Sequence, residues 1–520
     1  MAGPDSCGGA PSRTRDGRHT RSLSRTTLSS LFGWTPDDNV AIAHEIGSDT
    51  DWQTLVTYYT RGRPSPQLLR IFEIAVQHKI RSVLIERRYI DMDWRSEHSR
   101  FYSTTFARYP SVCHRLHFFT KSLPRDLGDL SGLQAAYRGY AIMRPIPWAP
   151  VGRTMISPPP ELNDAISCYS TEEVDILGWP FRVTSVPFVS QDGEYLRCAH
   201  AAMWMVLQHE HLRQGLPRRT PFEVHDAALG GVIPGRQVPS DGLSVHQMLA
   251  GMTALGLSPG LVSLPRDAAD SLAAGFLSLY ATTCRYINCN IPPIIISERH
   301  AWTCVAYTRA PSAGHTRLTL YRHDDAVGPF IRVDDPFNEP NPAYQRWNSA
   351  LLPLPPKIYM TGERAEAVGR WWFKKHLATV DAKDPLALAA ASDNLTFQTY
   401  GQRSSTYKQT LVLRDGLDPG LGREYRLSNW PRNIWVVEAL DRQLRDLGDP
   451  CVLGEVIIDP TAHHDPRPQD TGILATHASS RYESLGPDHG ELRQLTTSGG
   501  VYLSGRDVRP TVLQQAAAAP

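Results

Sequence analysis

The fold is decided by the stretch SVPFVSQDGEYLRCAHAAMWMVLQHEH, residues 185–211. A glutamine, Gln191, precedes a cysteine, Cys198, and the cysteine opens a helical pattern. Ala202, Met203, Val206 and Leu207 recur at the spacing that gives a helix one apolar face. Cys198 then falls in the first turn, where unpaired backbone N–H groups and the positive end of the helix dipole gather. Such surroundings favour a thiolate, the form that attacks an electrophile. The competing reading is a small buried hydrophobe, a common place for a free cysteine.

A thiolate nucleophile needs a base. IPPIIISERHAWTCVAYTR, residues 291–309, sets His300 between two β runs, Ile294 to Ile296 and Trp302 to Tyr307. A histidine at a strand start can project from a sheet edge toward a helix N-terminus, take the thiol proton and return it to a leaving group. A third group should orient the imidazole. GPFIRVDDPF, residues 328–337, ends a strand at Val333 and offers Asp334 and Asp335 ahead of Pro336. Strand alternation sends these two side chains to opposite faces, so only one can reach His300. The backbone N–H of Cys198 and the side-chain amide of Gln191 are candidate donors to a developing oxyanion.

The order Gln, Cys, His, Asp resembles the papain-like cysteine peptidases, above all the compact bacterial branch that includes the double-glycine leader peptidases. The resemblance covers about residues 183–340. It implies an α+β fold, with a cysteine-bearing helix packed on an antiparallel sheet that carries the histidine and the acid. It assigns Gln191, Cys198, His300 and Asp335 to the site, the last because the family's acid sits in a strand-end Asp-Pro. It implies hydrolysis of a peptide or protein substrate through an acyl-enzyme, with no metal or organic cofactor. DGLSVHQMLAGMTALGLSPGLV, residues 241–262, resembles the family's second helix, with Ser244 as N-cap and Gly256 at its end. Two departures stand out. Gln191 lies seven residues before the cysteine instead of six, and Ala199 replaces the usual glycine.

Around this part, four regions are expected: a disordered basic tail at 1–35, an N-terminal α+β region at 36–180, the catalytic domain at 181–350 and a C-terminal α+β region at 351–520. In the second region, SPQLLRIFEIAVQHK predicts a helix capped by Ser65 with Pro66 in its first turn. IRSVLIERRYI and YRGYAIMRPI predict strands, and PIPWAPVGRTMISPPPEL reads as a rigid linker. Farther on, GERAEAVGRWWFKKHL predicts a helix, and RNIWVVEAL and CVLGEVIID predict strands. Arg144 and Arg153 could bind an anion, though an exposed arginine usually only solvates. His463, His464 and Asp465 diverge along one strand and make a poor metal site.

Composition narrows the function classes. The chain holds 54 basic against 53 acidic residues, which gives no global pull toward nucleic acid or an anionic membrane. Only seven of the basic residues are lysine, a bias that fits a GC-rich bacterial genome. No apolar run reaches the roughly 18 residues of a membrane span. The N-terminus lacks the apolar core of a secretory signal, so the eight cysteines read as reduced thiols in the cytoplasm. Three functions fit: a cysteine peptidase, an enzyme passing the acyl group to an amine on the same triad, or an inactive copy kept for binding. Substrate identity and oligomeric state are not legible.

Overall fold

In a computed structural model the described residues are 41–505, apart from 125–126, 231–241, 265–268, 313–314, 334–346, 462–471, 486–491 and 497–500. The fold is mixed α+β, and its paired strands are antiparallel throughout. No helix among the described residues is long and apolar enough to cross a membrane.

The N-terminal sheet runs in chain order: β1 (Ala41–Glu45), β2 (Ser82–Tyr89), β3 (Cys113–Phe119), β4 (Tyr137–Met143) and β5 (Val151–Ile156). β2 and β4 are the strands the sequence predicts. β5 corrects the linker reading of 145–162. Its stretch VGRTMI is flanked by prolines but contains none, so it can pair with β4. The helix Pro66–Gln77 forms with Ser65 at the N-cap position, though its side chain makes no capping hydrogen bond, and with proline at its first position, where a missing N–H costs nothing. Two strands after this sheet, β6 (Ile166–Ser167) and β7 (Ser170–Ile176), lead into β8 (Trp179–Ser185), and β7 and β8 form a hairpin across position 180.

The central sheet holds β9 (Gly260–Ser263), β10 (Ile294–Ile296), β11 (Ala301–Ser312), β12 (His315–Asp324), β13 (Gly328–Val333) and β14 (Ser349–Leu352), with β6 pairing to β11. Against β11 packs the helix Cys198–Gln214. A single apolar face is expected for that helix. In the structure every residue from Ala199 to Glu210 is buried. Some of its polar members pair inside: His209 Nε2 meets the Asn290 carbonyl at 3.0 Å, and Glu210 meets Arg213 at 3.2 Å, while Trp204 Nε1 and Gln208 Oε1 have no partner among the described residues. Ser244 caps the helix Val245–Ala254 by accepting the Gln247 N–H, with the reciprocal bond that completes a capping box.

The C-terminal sheet is a meander of β15 (Leu395–Arg403), β16 (Asn433–Asp441), β17 (Val452–Ile458), β18 (Ile473–Ala478), β19 (Arg481–Leu485) and β20 (Leu492–Thr496). Its interior holds a fully buried ion network in which Arg414 bonds Glu438 and Glu455, joined by Tyr400 and Tyr407.

The N-terminal helix Pro66–Gln77 also docks on the β12–β13 turn. Gln67 Nε2 donates to the Asp325 carbonyl at 3.0 Å, and Arg70 donates to the carbonyls of Pro329 and Phe330 at 3.2 and 2.9 Å. Gly328 makes this approach possible. Its φ is +143°, and a Cβ there would stand 2.7 Å from the Arg70 Cβ. Gly328→Ala should cost about 2 kcal/mol through backbone strain and overlap. Urea unfolding measures this, and an unchanged midpoint would show that the helix does not rest on this turn.

Candidate functional site

Cys198 is the first residue of its helix, and no side chain caps the turn. The approach to it is set by Asp192. One oxygen, Oδ1, accepts the N–H groups of Glu194, Tyr195 and Leu196 at 2.7–2.9 Å. The backbone closes behind it: the N–H groups of Asp192 and Gly193 donate to the Leu196 carbonyl. Gly193, at φ +79°, makes the bend. This closed turn takes up the extra residue between Gln191 and Cys198.

The N-terminal region holds that turn from outside. Tyr102 donates its hydroxyl to Asp192 Oδ2 at 2.9 Å, and Trp148 Nε1 donates to the Asp192 carbonyl at 3.2 Å. Arg144 Nη2 donates to the carbonyl and hydroxyl of Ser190, while Nη1 bonds Glu97 at 3.2 Å. Burial raises the Glu97 carboxyl to about 8, with the nearby carboxylates adding to it and Arg144 opposing it. Arg153 bonds Glu172 at 3.0 Å and Asp91 at 3.2 Å. Arg144 and Arg153 are thus 2% and 5% exposed and committed to internal acids, not open to a ligand.

His300 sits where the sequence puts it, in the short connection that leads into β11. The Ser297 N–H and hydroxyl both donate to the His300 carbonyl, and the His300 N–H donates to Ser297 Oγ. The turn therefore fixes the backbone of the residue that must aim its ring. The ring stacks on Trp302, with centroids 5.8 Å apart. It hydrogen-bonds the Cys198 thiol on one side. On the other, Nε2 lies 3.3 Å from Asp324 Oδ1 and 3.7 Å from Asp325 Oδ1. With Nε2 turned to Asp324, Nδ1 is the nitrogen available to the thiol.

Asp324 and Asp325 are the residues that sequence reasoning missed. Asp324 ends β12 and Asp325 begins the turn after it, in RHDDAVG. Asp334 and Asp335 lie outside the described residues, as do His463, His464 and Asp465. Asp324 is fixed from three directions. Oδ1 accepts the Ala326 N–H at 3.0 Å, Oδ2 lies 3.3 Å from Arg322 Nε, and the Asp324 carbonyl accepts the Val327 N–H. Gln191 is half buried, and its amide makes no hydrogen bond within the described residues.

Burial alone would push the His300 ring below its usual value. Hydrogen bonds to Asp324 and Cys198, together with the charges of both aspartates, outweigh it and raise the ring to about 10. Asp325, fully buried, is pushed upward by burial, against the pull of His300 and with the push of Asp324. Neither of its side-chain oxygens has a hydrogen-bond partner among the described residues. His300, Asp324 and Asp325 offer ligand atoms within 4.8 Å of one another, a spacing that could hold a divalent cation. The seven described cysteines are free thiols.

Chemically, a thiol, an imidazole and a carboxylate in line can pass a proton and hold the resulting thiolate beside an imidazolium. Two measurements test this. Because the folded protein raises His300 above its unfolded 6.5, the stability it contributes is full below pH 6.5 and is lost as pH rises through about 10. The stability gap between wild type and His300→Gln should therefore narrow over that window. Denaturation at pH 6, 8 and 10 reads it, and a gap that widened would refute the charged ring. Second, Tyr102→Phe should slow alkylation of Cys198 by iodoacetamide about threefold to tenfold at pH 6, because the turn ahead of the thiol loses a support. Equal rates would show that the N-terminal contact does not position the cysteine.

The chain matches no protein-family model, no curated protein and no solved structure, so its functional reading rests on this geometry.

Proposed function

We propose that the protein is a cysteine peptidase of papain-like type. The observation that carries this reading is the hydrogen bond between Cys198 and His300, with Asp324 on the other side of the ring. A cysteine at a helix start, a histidine leading into a strand and an acid at a hairpin end on the same sheet support it further. Cys198 Sγ attacks the peptide carbonyl. His300 accepts the thiol proton and returns it to the leaving amine, after which water, deprotonated by His300, releases the acyl group. Asp324 orients the ring in the role that the resemblance gives to Asp335. The backbone N–H of Cys198 and the Gln191 amide stabilise the oxyanion. The substrate is a peptide or protein, and the chemistry calls for no organic cofactor.

The test is a peptidyl aldehyde or epoxide, with the adduct mapped by mass. The expected adduct sits on Cys198, is absent in Cys198→Ala, and forms at least about 100-fold more slowly in His300→Ala. Labelling elsewhere, or at equal rates, would sink the reading. Release of the acyl group to a labelled primary amine rather than to water would identify a transferase on the same triad.

A second reading draws on the buried Asp325 carboxylate, which has an ion-pair neighbour in His300 and no hydrogen-bond donor among the described residues. His300, Asp324 and Asp325 would hold a divalent metal that polarises a carbonyl or activates water. Zinc should then bind the protein tightly, and Asp325→Asn, which removes one ligand, should abolish that binding. Binding that vanishes in Asp325→Asn supports the metal reading, and undetectable binding dismisses it.

A further inference from the structure

At the opposite end of the Cys198 helix lies a cavity of about 300 Å³, between the central region and the C-terminal sheet. It is remote from the thiol, since a helix of this length spans about 25 Å. Arg213, Asn288, Gln402, Arg403 and Thr406 are among its lining residues. Its volume is at the lower end of small-ligand sites.

The charge on its walls is one-sided. Arg403 and Arg432 converge on Gln214: Arg403 Nε donates to the Gln214 side chain at 2.7 Å, and Arg432 Nη2 to its carbonyl at 3.2 Å. Arg213 stands beside them, with Nη1 on Glu210 and Nη2 on the Cys289 carbonyl. One buried carboxylate, Glu210, pairs with Arg213 and feels the charge of Arg403. Burial, then the like charges of Arg432 and Arg213, hold the Arg403 guanidinium below its usual value, with Glu210 opposing.

The cavity also presents donors that the protein leaves unused. Arg403 spends Nε on Gln214, and its two terminal nitrogens make no hydrogen bond among the described residues. Gln402 Nε2 is buried without a partner among the described residues. Asn288 accepts the Tyr307 hydroxyl on Oδ1, which leaves its amide Nδ2 without a partner among the described residues. The Thr406 hydroxyl makes no hydrogen bond there either. Two guanidinium nitrogens, two amides and a hydroxyl on one cavity wall form a set of donors that lacks an acceptor.

We infer that this cavity binds a small dianionic ligand through its oxyanion group, a phosphate or a carboxylate carried on a compact molecule. Arg403 is its principal cation, and Gln402 and Asn288 supply flanking N–H donors. The ligand would bridge the last turn of the Cys198 helix to the C-terminal sheet, because Arg213 belongs to the one and Arg403 to the other.

Thermal unfolding and calorimetry of the full chain test this with inorganic phosphate and with succinate, against sodium chloride at matched ionic strength. The expected result is saturable binding of phosphate, of succinate or of both, with a midpoint rise of at least about 2 °C at 10 mM. Phosphate alone would mark a phosphorylated ligand, and succinate alone a carboxylated one. Arg403→Gln should abolish the rise. If that variant does not fold, Gln402→Glu, which sets an anion on the wall, should weaken binding at least about tenfold. No saturable binding of either anion, a rise equal to that in chloride, or a rise that survives both substitutions overturns the assignment.

Discussion

The carboxylate of Asp192 accepts three backbone N–H groups with one oxygen and the Tyr102 hydroxyl with the other. Charge-assisted bonds of this kind are worth about 1.5–3 kcal/mol each when no water competes. The position of Cys198 follows from them. Five residues lie between Asp192 and Cys198, and four of them, Gly193 to Leu196, are drawn into one closed turn. Without the carboxylate, the helix would still form and pack on β11, but the turn that leads into its first residue would lose its internal support.

That constraint gives the N-terminal region a different standing from an appendage. Its strands and helices touch both halves of the site. Tyr102, Arg144 and Trp148 hold the stretch ahead of Cys198, and Gln67 and Arg70 hold the turn that carries Asp324 and Asp325. The charges used for this are buried, and burying an ion costs several kcal/mol unless it is paired. Arg144 with Glu97, and Arg153 with Asp91 and Glu172, meet that condition. The same arrangement recurs around Arg414 in the C-terminal sheet. In each place an arginine ties together strands or loops that a purely apolar contact would allow to slide.

The sequence discloses the two reacting groups more readily than their supports. Cys198 and His300 announce themselves because each stands at an element boundary visible in local pattern, a helix start and a strand start. The acid is harder. The sequence holds two Asp-Asp pairs here, and the second, Asp334 and Asp335, lies outside the described residues. That the first pair reaches the imidazole depends on the register of β12 against β11, where Thr303 stands opposite His323. Register is a long-range property that no local motif carries. Arg144 misleads for the same reason. A lone arginine beside prolines looks solvated, and its partners Glu97 and Ser190 lie some 50 residues away on either side. Segment 151–156 hides a strand because its prolines fall just outside the paired residues.

The Gly328 contact has a bearing on how the protein is made. The chain leaves the ribosome from its N-terminus, so the surface formed by Gln67, Arg70, Tyr102 and Arg144 exists before either piece that it receives. Cys198 follows soon after, although β11, the strand on which its helix packs, comes later. His300 and Asp324 come much later, and the glycine that lets their turn seat against Arg70 comes last. Through that interval the thiol has neither base nor acid beside it. Nascent chains would therefore carry an inert cysteine, and reactivity would arrive only as the β12–β13 hairpin clicks into a socket built well before it.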